Sequence, residues 1–166
     1  MESDDYEAIF NEMKNTNRIK EILIGGIIAC GLALIFSNYN FNKLPKNSQI
    51  DSILVLKSKR QLSVFSKGKL IKSYAISLGK SPVGAKQFQG DNKTPEGVYF
   101  INGRNAHSIA YKNLGISYPN KEDVKNVNGK SAGGYIKIHG LMNNFWFVGN
   151  FHRFFDWTNG CIAVNN

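Results

Sequence analysis

The chain has 166 residues, of which 42% are hydrophobic and 20% charged, and carries a formal net charge of +9. These proportions suit one globular domain with a true core plus an appendage, and they exclude a repeat or low-complexity protein. The charge is uneven: residues 1–36 hold 3 Lys/Arg and 6 Asp/Glu, whereas the remainder holds 18 against 6, a balance of +12. So basic a domain is expected beside a polyanion, whether nucleic acid, anionic lipid or an anionic wall polymer, or else to keep a solvated basic surface.

In chain order, residues 1–21 are polar and mixed in charge and read as a short cytoplasmic tail. Ile22 to Phe36 is an uncharged apolar run directly after Arg18, Lys20 and Glu21, and Ser37, Asn38, Tyr39 and Phe41 extend it toward an interface. Residues 22–41 are therefore expected to form a signal anchor that crosses the membrane, uncleaved because no A-x-A site follows. The rest of the chain then lies in the periplasm or outside the cytoplasmic membrane, which disfavours nucleic acid as the polyanion. Ile27-Ile28-Ala29-Cys30 has the form of a lipobox, but Leu32 to Phe36 stays apolar beyond the cysteine. Residues 42–49, with Pro45, make a linker. A domain is expected from 50 to 166.

Within that domain the apolar period is two. Ile53 and Val55, then Leu62 and Val64, then Leu70, Tyr74 and Ile76 predict strands, with a hairpin turn at Ser66 to Lys69. Thr94-Pro95-Glu96-Gly97 reads as a turn launching a strand at Val98 to Ile101. Asn102 to Lys130 is long and polar, with a short helix expected around Lys121 to Lys125, and a stretch of that length suggests a lid over a site. Asn126, Asn128 and Lys130 read as loop residues. The last clear strand, Tyr135 to Ile138, ends in His139-Gly140. The fold class is mainly β, a sandwich or partly closed barrel with short helical insertions.

The stretch from His139 to Val164 gathers the groups that nucleophilic catalysis needs. Cys30 lies in the apolar run and Cys161 near the far end, so they are not expected to pair, and an unpaired cysteine outside the cytoplasm is buried or used. Cys161 follows Asn159-Gly160, a pair suited to a tight turn that exposes N–H groups to an oxyanion. A thiol of ordinary pKa is mostly protonated at neutral pH and needs a base, for which a strand-end His139 is well placed. Three histidines and a cysteine without a compact pair such as C-x-x-C argue against a metal site, and no cofactor is expected. His107 reads as a solvated loop residue, and Asp156 as a cap or the partner of a histidine.

Ile138-His139-Gly140 and Thr158-Asn159-Gly160-Cys161-Ile162 resemble the motif of the L,D-transpeptidase catalytic domain, also called the YkuD or ErfK family. Ser77-Leu78-Gly79, Gly90-Asp91 and Thr94-Pro95-Glu96-Gly97 are further matches, so the likeness spans about residues 50 to 166. Asp156-Trp157-Thr158 with Cys161-Ile162-Ala163-Val164 is most similar to the YafK-like branch. The resemblance implies that Cys161 is the nucleophile and His139 the proton donor and acceptor, with Gly140, His152, Thr158, Asn159 and Gly160 supporting them. It implies a donor tetrapeptide stem of peptidoglycan held as a thioester after release of D-alanine, then resolved by an amine. Water or a lipoprotein lysine as acceptor would make the same site a carboxypeptidase, an endopeptidase or a detaching enzyme, and a non-catalytic wall-binding module is the other reading of the basic surface.

Tyr118, Trp146 (between Phe145 and Phe147) and Arg153 are expected to line the substrate groove. Many members carry histidine two residues before the cysteine and arginine two after it, where this chain has Asn159 and Ala163; His152 is the candidate replacement. Similar domains usually continue through another strand past the equivalent of Asn166, so an open sheet edge is expected.

Overall fold

The computed structural model describes residues 3–38, 44, 45, 47–127 and 129–166; positions 39–43, 46 and 128, which include parts of the expected anchor and linker and loop residue Asn128, lie outside the described residues. The chain divides into two compact units, Met1–Tyr39 and Asn40–Asn166.

The first unit is helix α1 (Ser3–Asn38). It starts well before the apolar run, because no glycine or proline precedes Gly25 and nothing local stops helix propagation through the polar tail. Phe10–Phe36, 27 residues with a mean hydropathy of 2.2, is long and apolar enough to cross a membrane. At ~1.5 Å per residue it extends about 40 Å, against about 30 Å of bilayer hydrocarbon. Ile27, Phe36 and Cys30 are exposed along it.

In the second unit β1 (Ser52–Leu56), β2 (Gln61–Ser66) and β3 (Lys69–Ala75) form an antiparallel sheet in that order. The expected hairpin turn lies between β2 and β3, where Lys67 (φ 49°) and Gly68 (φ 74°) supply the two positive φ angles of a two-residue loop whose twist matches the strands. Leu62 and Val64 alternate inward as their period-two spacing predicts, and join Ile76, Leu78, Ile138 and Ile162 in the main core. The second sheet has the order β4 (Ile101–Ser108), β5 (Tyr111–Ile116), β6 (Lys137–His139), β7 (Ile162–Ala163), with β6 and β7 parallel and the other pairs antiparallel. Neither sheet closes on itself, so the architecture is mainly β with short helices.

Between the sheets runs Ile76 to Lys80. Ser77 exchanges both backbone hydrogen bonds with Ala163, each 2.9 Å, while Thr158 N–H donates to the Leu78 carbonyl (3.1 Å) and Lys80 N–H to the Thr158 carbonyl (2.9 Å). This seam fixes the turn before β7 to the end of β3. Asp156 strengthens it: its carboxylate accepts from Arg60 Nε (3.0 Å), Arg60 Nη2 (2.6 Å) and Leu78 N–H (2.9 Å). Asp156 therefore serves an arginine and the seam, and is neither a helix cap nor the partner of a histidine.

The polar stretch expected as a lid contains the β4–β5 hairpin, whose tip lines a cleft. β4 is exposed along nearly its whole length, so it has no apolar face from which a period could be read, and it is held by backbone pairing to β5. His107 lies on this exposed strand. The strand expected from Val98 begins only at Ile101. Helix α2 (Lys121–Lys125) falls where expected, capped by Asn120, whose side chain accepts from Glu122 N–H and Asp123 N–H while Asp123 returns the bond to Asn120 N–H.

Candidate active site

Period two on β6 decides which side chains face the site. Ile138 points into the core and pairs with Ile162 on β7, so Lys137 and His139 on either side of it face the opposite way. Cys161 precedes Ile162 and shares that face. All three line one cleft of about 360 Å³, whose other walls come from the β4–β5 turn (Ser108, Ile109, Ala110), Asn113, Met142, Lys80 and the segment from Trp157 to Asn159.

A carbonyl can only accept, so the 2.6 Å contact between His139 Nδ1 and the Gly140 carbonyl places the imidazole proton on Nδ1. Nε2 is then the basic nitrogen. The Trp157 ring meets the imidazole edge-on, with centroids 5.8 Å apart. Burial pushes the His139 pKa below the usual histidine range; the bond to Gly140 opposes this and the Lys137 cation adds to it. Burial pushes the Cys161 thiol up, against the Lys137 N–H and the Lys137 and Lys86 charges. Both shifts favour a neutral thiol beside a neutral imidazole at pH 7. The thiol's other contact is the Tyr135 carbonyl, 3.8 Å away.

The turn that presents Cys161 is built by Thr158, which is buried and whose hydroxyl donates to the Cys161 carbonyl (2.7 Å) while accepting from Gly160 N–H (3.2 Å). Gly160 adopts φ 125°, and a Cβ there would lie 2.7 Å from the Lys93 carbonyl. Gly160 thus acts by its lack of a side chain. Its N–H is engaged by Thr158, so it is not the free oxyanion donor expected from the Gly-Cys turn. Asn159 is exposed and accepts from Lys80 Nζ at 3.1 Å. Gly140 packs under Tyr111 and Asn166, with its N–H on the Lys112 carbonyl.

His152 is buried on the 3-10 segment Asn143–Phe154, with Nδ1 3.1 Å from Ser77 Oγ and 3.5 Å from Trp157 Nε1. Its ring stands edge-on to Trp157, centroids 6.4 Å apart, so the indole meets both the His152 and the His139 imidazoles. Among the described residues its Nε2 has no hydrogen-bond partner. Burial, then Arg153 and His139, push its pKa down to about 4. A histidine held below its unfolded value of ~6.5 stabilises the fold fully above pH ~6.5 and loses that contribution as pH falls toward 4. His152→Gln should remove this dependence: by denaturant unfolding, wild type loses about 3 kcal/mol more than the variant between pH 7 and pH 4. Equal losses would mean His152 is not held neutral by the fold.

The groove residues expected from sequence are not brought to the cleft. Tyr118 is 5% exposed, packs with Ala132 and Ile136 in a second small core and donates its hydroxyl to the Ala132 carbonyl (2.9 Å). A phenol so satisfied has no surface left for substrate. Trp146 is 62% exposed and lies against Phe147, and Arg153 stacks over Phe154; neither lines the cleft. Lys80, Lys137 and Trp157 line it although none was expected to. For Lys137 the signal was its place two residues before His139 on one strand, hence on the same face.

Residues 50–166 match the YkuD family, the L,D-transpeptidase catalytic domain. The chain is 36% identical over 95 residues to YafK of Escherichia coli strain K12, an alignment covering 53% of this chain and 37% of that protein. Among solved structures it resembles the helical cell shape determining protein Pgp2 of Campylobacter jejuni, with a TM-score of 0.52 and 28% identity over 80% of this chain and 46% of that one. A point mutant of Pgp2 gives a TM-score of 0.53 at 28% identity, with 78% and 44% covered. The chain thus spans less than half the length of the relatives it matches.

Proposed function

Because the chain belongs to the YkuD L,D-transpeptidase catalytic-domain family, we propose that it is a cell-wall acyltransferase working through Cys161 and His139 on peptidoglycan stem peptides. The observation that carries this reading is the sharing of one cleft by a thiol and an imidazole whose Nδ1 is bound to a carbonyl, which leaves Nε2 as a base. Nε2 takes the thiol proton as Sγ attacks the carbonyl of the stem's diamino acid. The imidazolium returns that proton to the amine of the departing D-alanine, and the acyl group remains as a thioester. An amine from a neighbouring stem attacks the thioester, gives its proton to His139 and regenerates the thiol. The nucleophile is neutral until substrate arrives, which suits an oxidising compartment because thiolates are the species that oxidise. We further infer that Phe10–Phe36 is a membrane anchor and that the second unit works on the outer side of the cytoplasmic membrane.

The test is incubation of the full chain in detergent with purified tetrapeptide muropeptides, followed by mass analysis. Cross-linked dimers lacking one D-alanine are expected. Tripeptides alone would assign water as the acceptor, and no product together with no thioester adduct would refute the acyl-transfer reading.

A further inference from the structure

The cleft is cationic and contains no acid. Its charged lining residues are Lys80 and Lys137, and no Asp or Glu is among the residues that form it. The two lysines differ in what they already do. Lys80 Nζ is spent on Asn159 Oδ1 at the exposed rim. Lys137 is half-buried as a residue and lines the cleft, and among the described residues its ammonium has neither a hydrogen-bond acceptor nor a carboxylate partner. A cation that lines a cleft without an acidic neighbour there makes the cleft attractive to an anion. Strand geometry fixes where that place is. Lys137 and His139 share the cleft face of β6, and the Lys137 backbone stands beside Cys161 at the start of the parallel strand β7.

We propose that Lys137 is the specificity determinant for the leaving side of the substrate, its ammonium binding the free carboxylate of the C-terminal residue that Cys161 displaces. This rests on the acyl-transfer reading above and adds to it the chemical class recognised, a peptide ending in an α-carboxylate. That carboxylate sits one carbon from the nitrogen of the scissile amide, so a cation next to the thiol is suitably placed to hold it during attack. Lys80 being shared with Asn159, the cleft's uncommitted cation comes from β6. The same contact tunes the base: an unpaired Lys137 charge disfavours imidazolium at His139, and a carboxylate bound to Lys137 would cancel that effect. Lys80 contributes less because its ammonium is at the rim and already shared.

The full chain is assayed with a stem tetrapeptide ending in D-alanine and with the same peptide ending in D-alaninamide. A charge-assisted contact is worth roughly tenfold to a hundredfold, so wild type should prefer the free acid by about that factor in kcat/KM, mostly through KM. Lys137→Met should turn over the two peptides equally, Lys137→Arg should restore the preference, and Lys80→Gln should keep most of it. The acid limb of the pH profile with the amide peptide should move upward in Lys137→Met, which loss of structure alone would not produce. Binding of both peptides to Cys161→Ser, with and without Lys137→Met, is measured by calorimetry and does not depend on turnover. If the free acid binds Cys161→Ser more tightly only when Lys137 is present, the carboxylate site stands even where no peptide is turned over, and the acyl-transfer reading alone fails. Equal binding and equal turnover of acid and amide by wild type, or an unchanged preference in Lys137→Met, would overturn the assignment of Lys137 while leaving acyl transfer intact.

Discussion

Replacing Cys161 by serine should abolish the proposed acyl transfer while the second unit melts at nearly the wild-type temperature. The fold is insensitive because the thiol makes only weak contacts, the Tyr135 carbonyl at 3.8 Å among them, and serine is slightly smaller. Activity is sensitive because a hydroxyl must be deprotonated by an imidazole whose own pKa is already lowered by burial. A loss on the order of 10⁴- to 10⁶-fold is expected, the range found when a covalent nucleophile is removed from its unit. Mass analysis of products reads the loss, and thermal unfolding controls for the fold. Residual turnover above a hundredth of wild type would assign the nucleophile elsewhere.

His139→Gln leaves the thiol in place and removes its base, and should lower kcat/KM by about two to four orders of magnitude. Its pH signature separates this from general damage. Since His139 titrates below the usual histidine range, wild-type kcat/KM should rise with pH along a limb centred below pH ~6.5, where the imidazole loses its proton. In His139→Gln that limb disappears, and activity instead follows the thiol, which ionises above its ordinary range. Alkylation of Cys161 by iodoacetamide should likewise show no plateau of reactivity between pH 5 and 7, because no thiolate–imidazolium pair is preformed. Identical pH profiles of turnover for wild type and His139→Gln would end the assignment of His139 as the base.

The parts of this molecule that can be read from sequence are those where one physical demand acts alone. Leu62 and Val64 alternate because the face of β2 that they share packs into the apolar core, while Ser63 on the other face is buried among polar partners, and Lys67-Gly68 forms the turn with two positive φ angles. The polar β4 is the opposite case: its pairing comes from backbone groups, which every residue has, so its side chains carry no trace of the strand. Asp156 was legible as a partner of something, but its bond to Arg60 crosses 96 positions of chain and no local pattern announces it. Tyr118 and Trp146 show the limit for aromatic residues, since one ring is fully buried and the other mostly exposed while neither lines the cleft. The approach of His139 and Cys161 to one cleft followed from their motif; Lys137 was legible only through its spacing of two from His139 on the same strand.

The seam from Ile76 to Lys80 also bears on how the site can move. Because Ser77 is bonded to Ala163 in both directions, and Thr158 to Leu78 and Lys80, the nucleophile's turn belongs to the same cooperative unit as the β1–β3 sheet. The cysteine cannot swing away without breaking bonds at the best-buried point of the domain, where Ile76, Ser77 and Leu78 are fully excluded from solvent. The opposite wall, the Ser108–Tyr111 tip of the β4–β5 hairpin, is held outside that seam by Asn143, whose Oδ1 accepts from Tyr111 N–H (3.0 Å) and whose Nδ2 and backbone N–H donate to the Ser108 (3.1 Å) and Ile109 (2.9 Å) carbonyls. Any opening of the cleft should therefore be one-sided, with amide exchange faster at the hairpin tip, whose ties are to the exposed Asn143, than across the seam, so that one wall yields while the sulfur keeps its station.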